Sequence, residues 1–302
     1  MRTAFVLFYA VFFASYAAAQ APVPSQKATP EASANRVAEP LYRVTVVSRT
    51  TRAINYGHLT DPTKVGLKGT VLMPEAQGEA RVESKRGAVE IEAKVQHLGS
   101  PTRFGPQYLT YVLWAISPEG RPENLGELVT DPSDKAKIKV STEMQAFALI
   151  VSAEPYFSVM QPSDVVVMEN VVQPGTVGRV QEMDAKYELL PRGHFTYDTG
   201  APSASPAGAR ISMSQYEALV ATYQAQNAIQ IAKSAGADKY AASTLLKAEQ
   251  LYRQAVDLQA KKPSNRQIVT IAREAAQTAE DARAISTKRQ QGETSATSLP
   301  PS

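Results

Sequence analysis

Three histidines, His58, His97 and His194, are the chain's whole complement of imidazoles, and no two stand at the i, i+4 spacing that shares a helix face around a metal. A metal centre built on them would need carboxylates brought in from distant loops, so they read as isolated surface or turn residues. Asp131-Pro-Ser-Asp134 carries two carboxylates three apart, a spacing that a turn explains without an ion. There is no G-x-S-x-G, H-E-x-x-H, P-loop or G-x-G-x-x-G, and no cysteine to act as nucleophile, thiolate ligand or disulfide partner. No catalytic, cofactor-binding or metal-ligating residue is therefore assigned, and the expectation is a protein without enzymatic activity or cofactor. One pair stands out. Glu154-Pro-Tyr-Phe157 places Tyr156 and Phe157 just after a strand end, where rings either stack on a sugar or peptide or plug the end of a β fold. Tyr156 and Phe157 are the candidate ligand contacts.

Stepping from these residues to the chain that must hold them, 302 residues with 43% hydrophobic content suffice for two domains with real cores. The net charge of +3 comes from interspersed acids and bases, with no basic block that would serve as a nucleic-acid arm. Residues 1–19 have the grammar of a secretory signal peptide. Arg2 is the positive n-region, Phe5 to Phe13 the apolar h-region, and Ala17-Ala-Ala19 the small-residue cleavage site, with cutting expected between Ala19 and Gln20. The apolar run is short for a membrane span, although retention as an anchor is the alternative. The rest of the chain is expected to be exported, with no transmembrane span after signal removal. The lack of cysteine suits a bacterial periplasm or outer surface.

Residues 20–40 are rich in Ala, Pro and Ser without apolar period, and read as a disordered lead-in. From Leu41 short alternating runs begin. Strands are expected over Tyr42–Val47, Ala53–Tyr56, Val65–Leu72, Ala80–Glu83, Ala88–Val95, Gln107–Ile116, Leu125–Val129, Ala136–Val140, Ala146–Val151 and Val165–Met168. Turn signals stand at Pro118-Glu-Gly120, Asp131-Pro-Ser-Asp134 and Gln161-Pro-Ser-Asp164. In the run from Gln107, Tyr108, Thr110, Val112, Trp114 and Ile116 share one face, and Leu109, Tyr111, Leu113 and Ala115 the other. Both faces are largely apolar, so this strand should be central and covered on both sides. Phe147, Leu149 and Val151 give a second strand similar weight. The pattern over 41–198 predicts an Ig-like antiparallel β-sandwich.

Residues 199–210 read as a linker, after which the period becomes helical. Ser214-Gln-Tyr-Glu217 fits a capping box, and Tyr216, Leu219, Val220, Tyr223 and Ile231 a stripe ending at Ala235, with Gly236 at the left-handed C′ position. A second helix is expected from near Ala242 to Ala260, and Pro263 stops it. A third has Ile268, Ala272, Ala275, Ala276, Ala279 and Ala282 on one face, small enough to admit a neighbouring backbone. Eleven basic against seven acidic residues over 211–289 read as a solvated face of paired signs such as Arg273-Glu274 and Asp281-Arg283. Residues 290–302 are expected to be a disordered tail, with fraying from Lys288. The fold class is thus α+β in two domains, the sandwich followed by an antiparallel three-helix bundle over 211–289. The helical stripe also leaves room for an oligomer seam.

The Ala225–Ala241 stretch with its A-G-A-D-K-Y-A turn, followed by Leu246-Lys-Ala-Glu249 and Ile271-Ala-Arg-Glu-Ala275, resembles domain-of-unknown-function family 4398 over residues 215–286. That resemblance implies a helical hairpin or bundle in bacterial envelope proteins, often ahead of an OmpA-like peptidoglycan-binding domain, and it carries no catalytic residues. Tyr108 to Gly120 with Asn124-Leu-Gly-Glu-Leu128 is similar to the sandwich that precedes this helical domain in certain OmpA-family proteins. It is also similar to the exported sandwich of some anti-sigma factors, without their sigma-binding domain. The peptidoglycan-binding domain of the longer envelope proteins is missing from this sequence. The expectation is an exported interaction or scaffolding module whose partners are other envelope proteins or cell-wall material. The alternative is a glycan- or wall-peptide-binding module using Tyr156 and Phe157.

Overall fold

The computed structural model of the protein describes residues 47–57, 59–174, 176, 179–189, 212–261 and 264–297. The leader with Ala19 and Gln20, the lead-in, the start of the strand expected at Tyr42, His58, His194, the linker 199–210, Pro263 and residues 298–302 lie outside them. Ten strands run in chain order as β1 (Val47–Asn55), β2 (Thr63–Gly69), β3 (Gln77–Lys85), β4 (Ala88–Gln96), β5 (Thr110–Ile116), β6 (Pro122–Leu128), β7 (Ala136–Thr142), β8 (Ala146–Glu154), β9 (Val166–Val171) and β10 (Arg179–Leu189). Helices follow as α1 (Met213–Ser234), a single turn α2 (Ala237–Tyr240), α3 (Ala242–Ala260) and α4 (Asn265–Thr297). The fold is therefore mixed α+β, a nearly closed antiparallel sheet followed by C-terminal helices. The described residues belong to one compact unit.

Alternation explains the sheet. In β4 the side chains of Val89, Ile91, Ala93 and Val95 are buried while Glu90, Glu92 and Lys94 point outward. Lys137 and Lys139 of β7 meet Glu92 and Glu90 across that outer face at 2.9 Å each, and Lys64 of β2 meets Glu79 of β3 at 2.9 Å. Such exposed pairs are worth about 0–1 kcal/mol each, so they choose the wet face rather than hold the fold. The ladder runs β10-β1-β8-β9-β2-β3-β4-β7, and β5 joins it by pairing with β8 and with β6. Among the described residues β6 pairs only with β5 and β7 only with β4, which leaves one seam in the ring. Gly126, at φ 139°, lies where a Cβ would come 2.9 Å from Ile138 Cδ1, so the seam is filled by side chains at close approach.

β5 is buried at every position, as is nearly all of β8 beside it. Tyr111, Leu113 and Ala115 join Phe147, Leu149 and Val151 in the cluster enclosed by the sheet. Val112, Trp114 and Ile116 join Ala148 and Ile150 in a second cluster whose other wall is made by the helices. The two faces of the strand are thus both covered, and the cover of the Trp114 face is helical.

Several boundaries differ from the sequence reading. The strand expected to reach Leu72 stops at Gly69, because the chain folds back there: a Cβ on Gly69 would sit 2.0 Å from the Met73 carbonyl oxygen. Val47 and the run Ala53–Tyr56 belong mainly to one strand, β1, and β10 was not anticipated, its charged sequence hiding the alternation. The capping box is Ser212 with Gln215, two residues earlier than Ser214 with Glu217, since S-x-x-Q satisfies the same two amides. Tyr216 is exposed on the first turn, and the buried face of α1 is made by Ala218, Ala221, Ala225, Ala228, Ile231 and Ala232. Small residues there let α1 approach α4, whose Ala272, Ala275, Ala276, Ala279 and Ala282 are all buried. Gly236 takes the left-handed conformation at φ 77°, and α3 occupies the expected span. α4 runs on past Lys288 to Thr297, because its end is held: the Gln290 amide donates to the Ala235 carbonyl at 2.8 Å and Tyr240 donates to Glu293 at 2.6 Å.

The turn after β6 gives a pH test. Asp131 Oδ1 accepts from Ser133 N at 2.8 Å, Ser133 Oγ at 2.7 Å and Lys135 N at 3.1 Å, and these bonds hold its carboxyl below the usual carboxylate range. Its folded value lies below its unfolded one, so its stabilising effect is present above about pH 4 and is lost as pH falls through the folded value. Asp131→Asn should lower the thermal midpoint at pH 7, with the difference from wild type closing on acidification below about pH 4. A difference that stays constant down that range would contradict the assignment.

Candidate functional site

Where β5 and β6 emerge beneath the helices, a groove of about 290 Å³ opens between the sheet, the first turns of α1 and the N-terminal turns of α4. Leu109, Tyr111 and Leu128 supply one wall, and Val220 and Val269 the other. The lip is apolar and open to solvent: Val129 is 53% exposed, Tyr216 52% and Met213 45%. Exposed apolar groups gathered round a concavity are the usual signature of a contact surface. Tyr216 reaches this place because it stands on the first turn of α1, off the face that Ala218, Ala221 and Ala225 bury.

The floor is polar and internally satisfied. Glu127 on β6 has a nearly buried side chain; its Oε1 accepts from Thr110 Oγ1 at 2.7 Å and Gln224 Nε2 at 2.8 Å. Its Oε2 is paired with Arg273 of α4, whose guanidinium also lies 4.5 Å from the centroid of the Phe157 ring. Gln224 completes the circuit by accepting from Phe157 N at 3.1 Å. Sheet, loop, α1 and α4 are thereby tied at one point, and each polar group on this floor spends its hydrogen bonds on the protein.

Behind the groove the junction is again charged. Glu280 of α4 is wholly buried and accepts from Tyr156 Oη at 2.5 Å, Met160 N at 2.9 Å, and Arg283 Nε and Nη2 at 2.7 and 2.8 Å. Burial works to discharge Arg283, but its bonds to Glu280 and that carboxylate's charge outweigh it, so the guanidinium is held more firmly protonated than usual. Trp114 donates from Nε1 to Ser152 Oγ at 2.8 Å, and Ser152 donates on to Glu154 at 2.5 Å. Asn227 of α1 donates to the Gln107 carbonyl at 3.1 Å and the Pro155 carbonyl at 3.3 Å.

The two rings singled out from the sequence belong to this junction. Tyr156 is fully buried with its hydroxyl on Glu280, and the half-buried Phe157 has one face covered by Arg273. Tyr156 therefore has no open ring face for a ligand, and Phe157 keeps one face against the Arg273 guanidinium. His97 is an exposed turn residue at φ 61°, and Asp131 is spent on its own turn. Among the described residues no group of three or more His, Asp and Glu side chains converges as a metal site would require. The reading of the helical charges as a solvated face needs correction. Arg283 pairs with Glu280 rather than Asp281, and Arg273 reaches Glu127 on the sheet, while Glu274 meets Lys247 at 3.7 Å. Sequence reasoning passed over Glu127, Gln224, Arg273, Glu280 and Met213. The available signal was Glu280 with Arg283 at i, i+3 inside an alanine face, where a solvated pair does not belong. No protein-family model matches the chain, and a search of the curated proteins finds no relative.

Proposed function

We propose that the protein is a non-enzymatic interaction or scaffolding module of the bacterial cell envelope, exported under its N-terminal segment, with the groove beside β5, β6 and α1 as its contact surface. The observation that carries this reading is the exposed apolar lip of Val129, Met213 and Tyr216 over a floor whose polar groups are all bonded to one another. Such a floor positions a partner without presenting a nucleophile or base to it. The secretory grammar of residues 1–19, the resemblance of 215–286 to family 4398 and that of the β region to OmpA-family sandwiches support the location. No helix among the described residues is long and apolar enough to cross a membrane. In the finer architecture, the packing of α1 and α3 along α4 supports an antiparallel three-helix bundle. The Ig-like sandwich has less behind it, since β8 carries the ladder from one wall to the other. The partners in this reading are other envelope proteins or cell-wall material.

A photo-crosslinking side chain at position 216 of the tagged native protein, activated in cells, should capture a partner, and Met213→Asp should abolish that capture while leaving the thermal midpoint within about 1 °C, as expected for an exposed position. A control position at the far hairpin, Arg86, should capture nothing comparable. Equal yields at 216 and 86, or turnover of wall or glycan substrates by the purified mature protein, would overturn the reading.

A further inference from the structure

The turn between β2 and β3, at the same end of the sheet, is an apolar knuckle. Val71 is 92% exposed and Leu72 beside it is exposed as well, an arrangement that water disfavours and that an isolated surface residue rarely reaches. The turn is built to hold them there. Gly69 N donates to Ala76 O at 2.8 Å, Thr70 N to Val167 O at 2.9 Å, Thr70 Oγ1 to Val166 O at 2.8 Å, and Leu72 N to Thr70 Oγ1 at 3.2 Å. Met73, wholly buried, nails the turn from beneath. An apolar pair held this rigidly loses little freedom when it is covered.

Knuckle and groove are neighbours across one short stretch of chain. The 3₁₀ turn Pro101–Phe104 lines the groove with Pro101 and pairs Arg103 with Glu75 of the β2–β3 turn at 3.6 Å. An apolar cavity of about 150 Å³ takes a benzene-sized guest, so a groove of about 290 Å³ suits two aliphatic side chains and is small for a cofactor or an oligosaccharide. The charges complement one another too. Lys68, exposed at the base of the knuckle, and Glu217, exposed on the lip of the groove, have no ion-pair partner among the described residues. Glu75 at this end is paired with Arg103 and Glu127 with Arg273, and Asp131 is held by hydrogen bonds within its own turn.

We propose that the occupant of the groove is the Val71–Leu72 knuckle of a second copy of this chain. The two copies meet about a two-fold axis near the Pro101–Phe104 turn, so that each knuckle enters the other's groove and each Lys68 faces the other's Glu217. A two-fold contact uses every element twice, which doubles the apolar burial and the ion pairs, and it closes without leaving a free knuckle to extend a filament. This assignment rests on the reading of the groove as the contact surface and names its partner.

Sedimentation of the mature chain (residues 20–302) across a dilution series up to about 100 µM, where a micromolar dimer is populated, should show a reversible monomer–dimer equilibrium. Val71→Asp should weaken it by about 100-fold or more, because the knuckle tip would carry a charge into an apolar seat. Lys68→Glu or Glu217→Lys alone should weaken it by about 10-fold, and the two together should return it to within about threefold of wild type. All three positions are exposed, so the variants should melt with the wild type. A monomer at every concentration overturns the proposal, and so does a dimer indifferent to Val71→Asp or a double reversal that fails to recover. If the chain is monomeric while position 216 still captures another protein in a Met213-dependent way, the self-association is wrong and the groove reading stands. If neither occurs, both fall.

Discussion

Replacing Trp114 by Ala should lower the free energy of unfolding by about 3–5 kcal/mol, read from chemical denaturation followed by far-ultraviolet circular dichroism. The ring is wholly buried on the helix-facing side of β5, among Val112, Ile116, Ile150 and the alanines of the helices. Alanine would leave a cavity that two rigid layers cannot collapse to fill. It would also remove the donor that orients the buried Ser152 toward Glu154. Trp114→Phe separates the two contributions: it keeps most of the apolar area and loses only the indole N–H, for about 1–2 kcal/mol. An unchanged midpoint in Trp114→Ala would mean that the helices do not cover this face. Because Trp114 is the single tryptophan, the wild-type fluorescence should report the same helix-to-sheet contact.

The second large effect concerns Glu280. Glu280→Ala should cost about 3–5 kcal/mol, because it strands Arg283, whose side chain is only 11% exposed, as an uncompensated charge. The Tyr156 hydroxyl and the Met160 amide lose their acceptor in the same step. The double variant Glu280→Leu with Arg283→Met should recover much of that loss, since a buried pair replaced by apolar groups of similar volume is often neutral. A double variant no better than Glu280→Ala would show that the carboxylate acts chiefly through Tyr156 and Met160. Either result is obtained from a denaturation cycle on the purified protein. The comparison matters for mechanism, because the same carboxylate fixes the loop that carries Phe157 against Arg273 and so the floor of the groove.

Much of the architecture was legible from period alone. The two apolar faces of β5 are readable because side chains alternate on a strand, and the burial of Val112, Trp114 and Ile116 apart from Tyr111, Leu113 and Ala115 follows that alternation. The span of α3, the left-handed Gly236 and the alanine face of α4 are likewise local matters, settled by residues within a few positions of one another. The errors at Gly69 and at the first helix cap are local as well, and arose where two short patterns competed for one stretch of chain.

The candidate site was a different case. Glu127 and Arg273 stand 146 positions apart, and Tyr156 and Glu280 are separated by 124. Nothing within a turn of Glu127, Arg273 or Tyr156 sets it apart from its neighbours, and only Glu280, with Arg283 three positions on inside an alanine face, carried a local signal. Sequence by itself determined that the Trp114 face had to be covered, since a strand apolar on both sides cannot remain in water. Only the tertiary structure decided that the cover is the helices, that Glu280 and Arg283 go under with it, and that Met213 and Tyr216 are left outside at the lip of a groove. The reason is physical: alternation and helical period are properties of neighbours in the chain, whereas desolvation of a charge depends on which distant surface arrives on top of it.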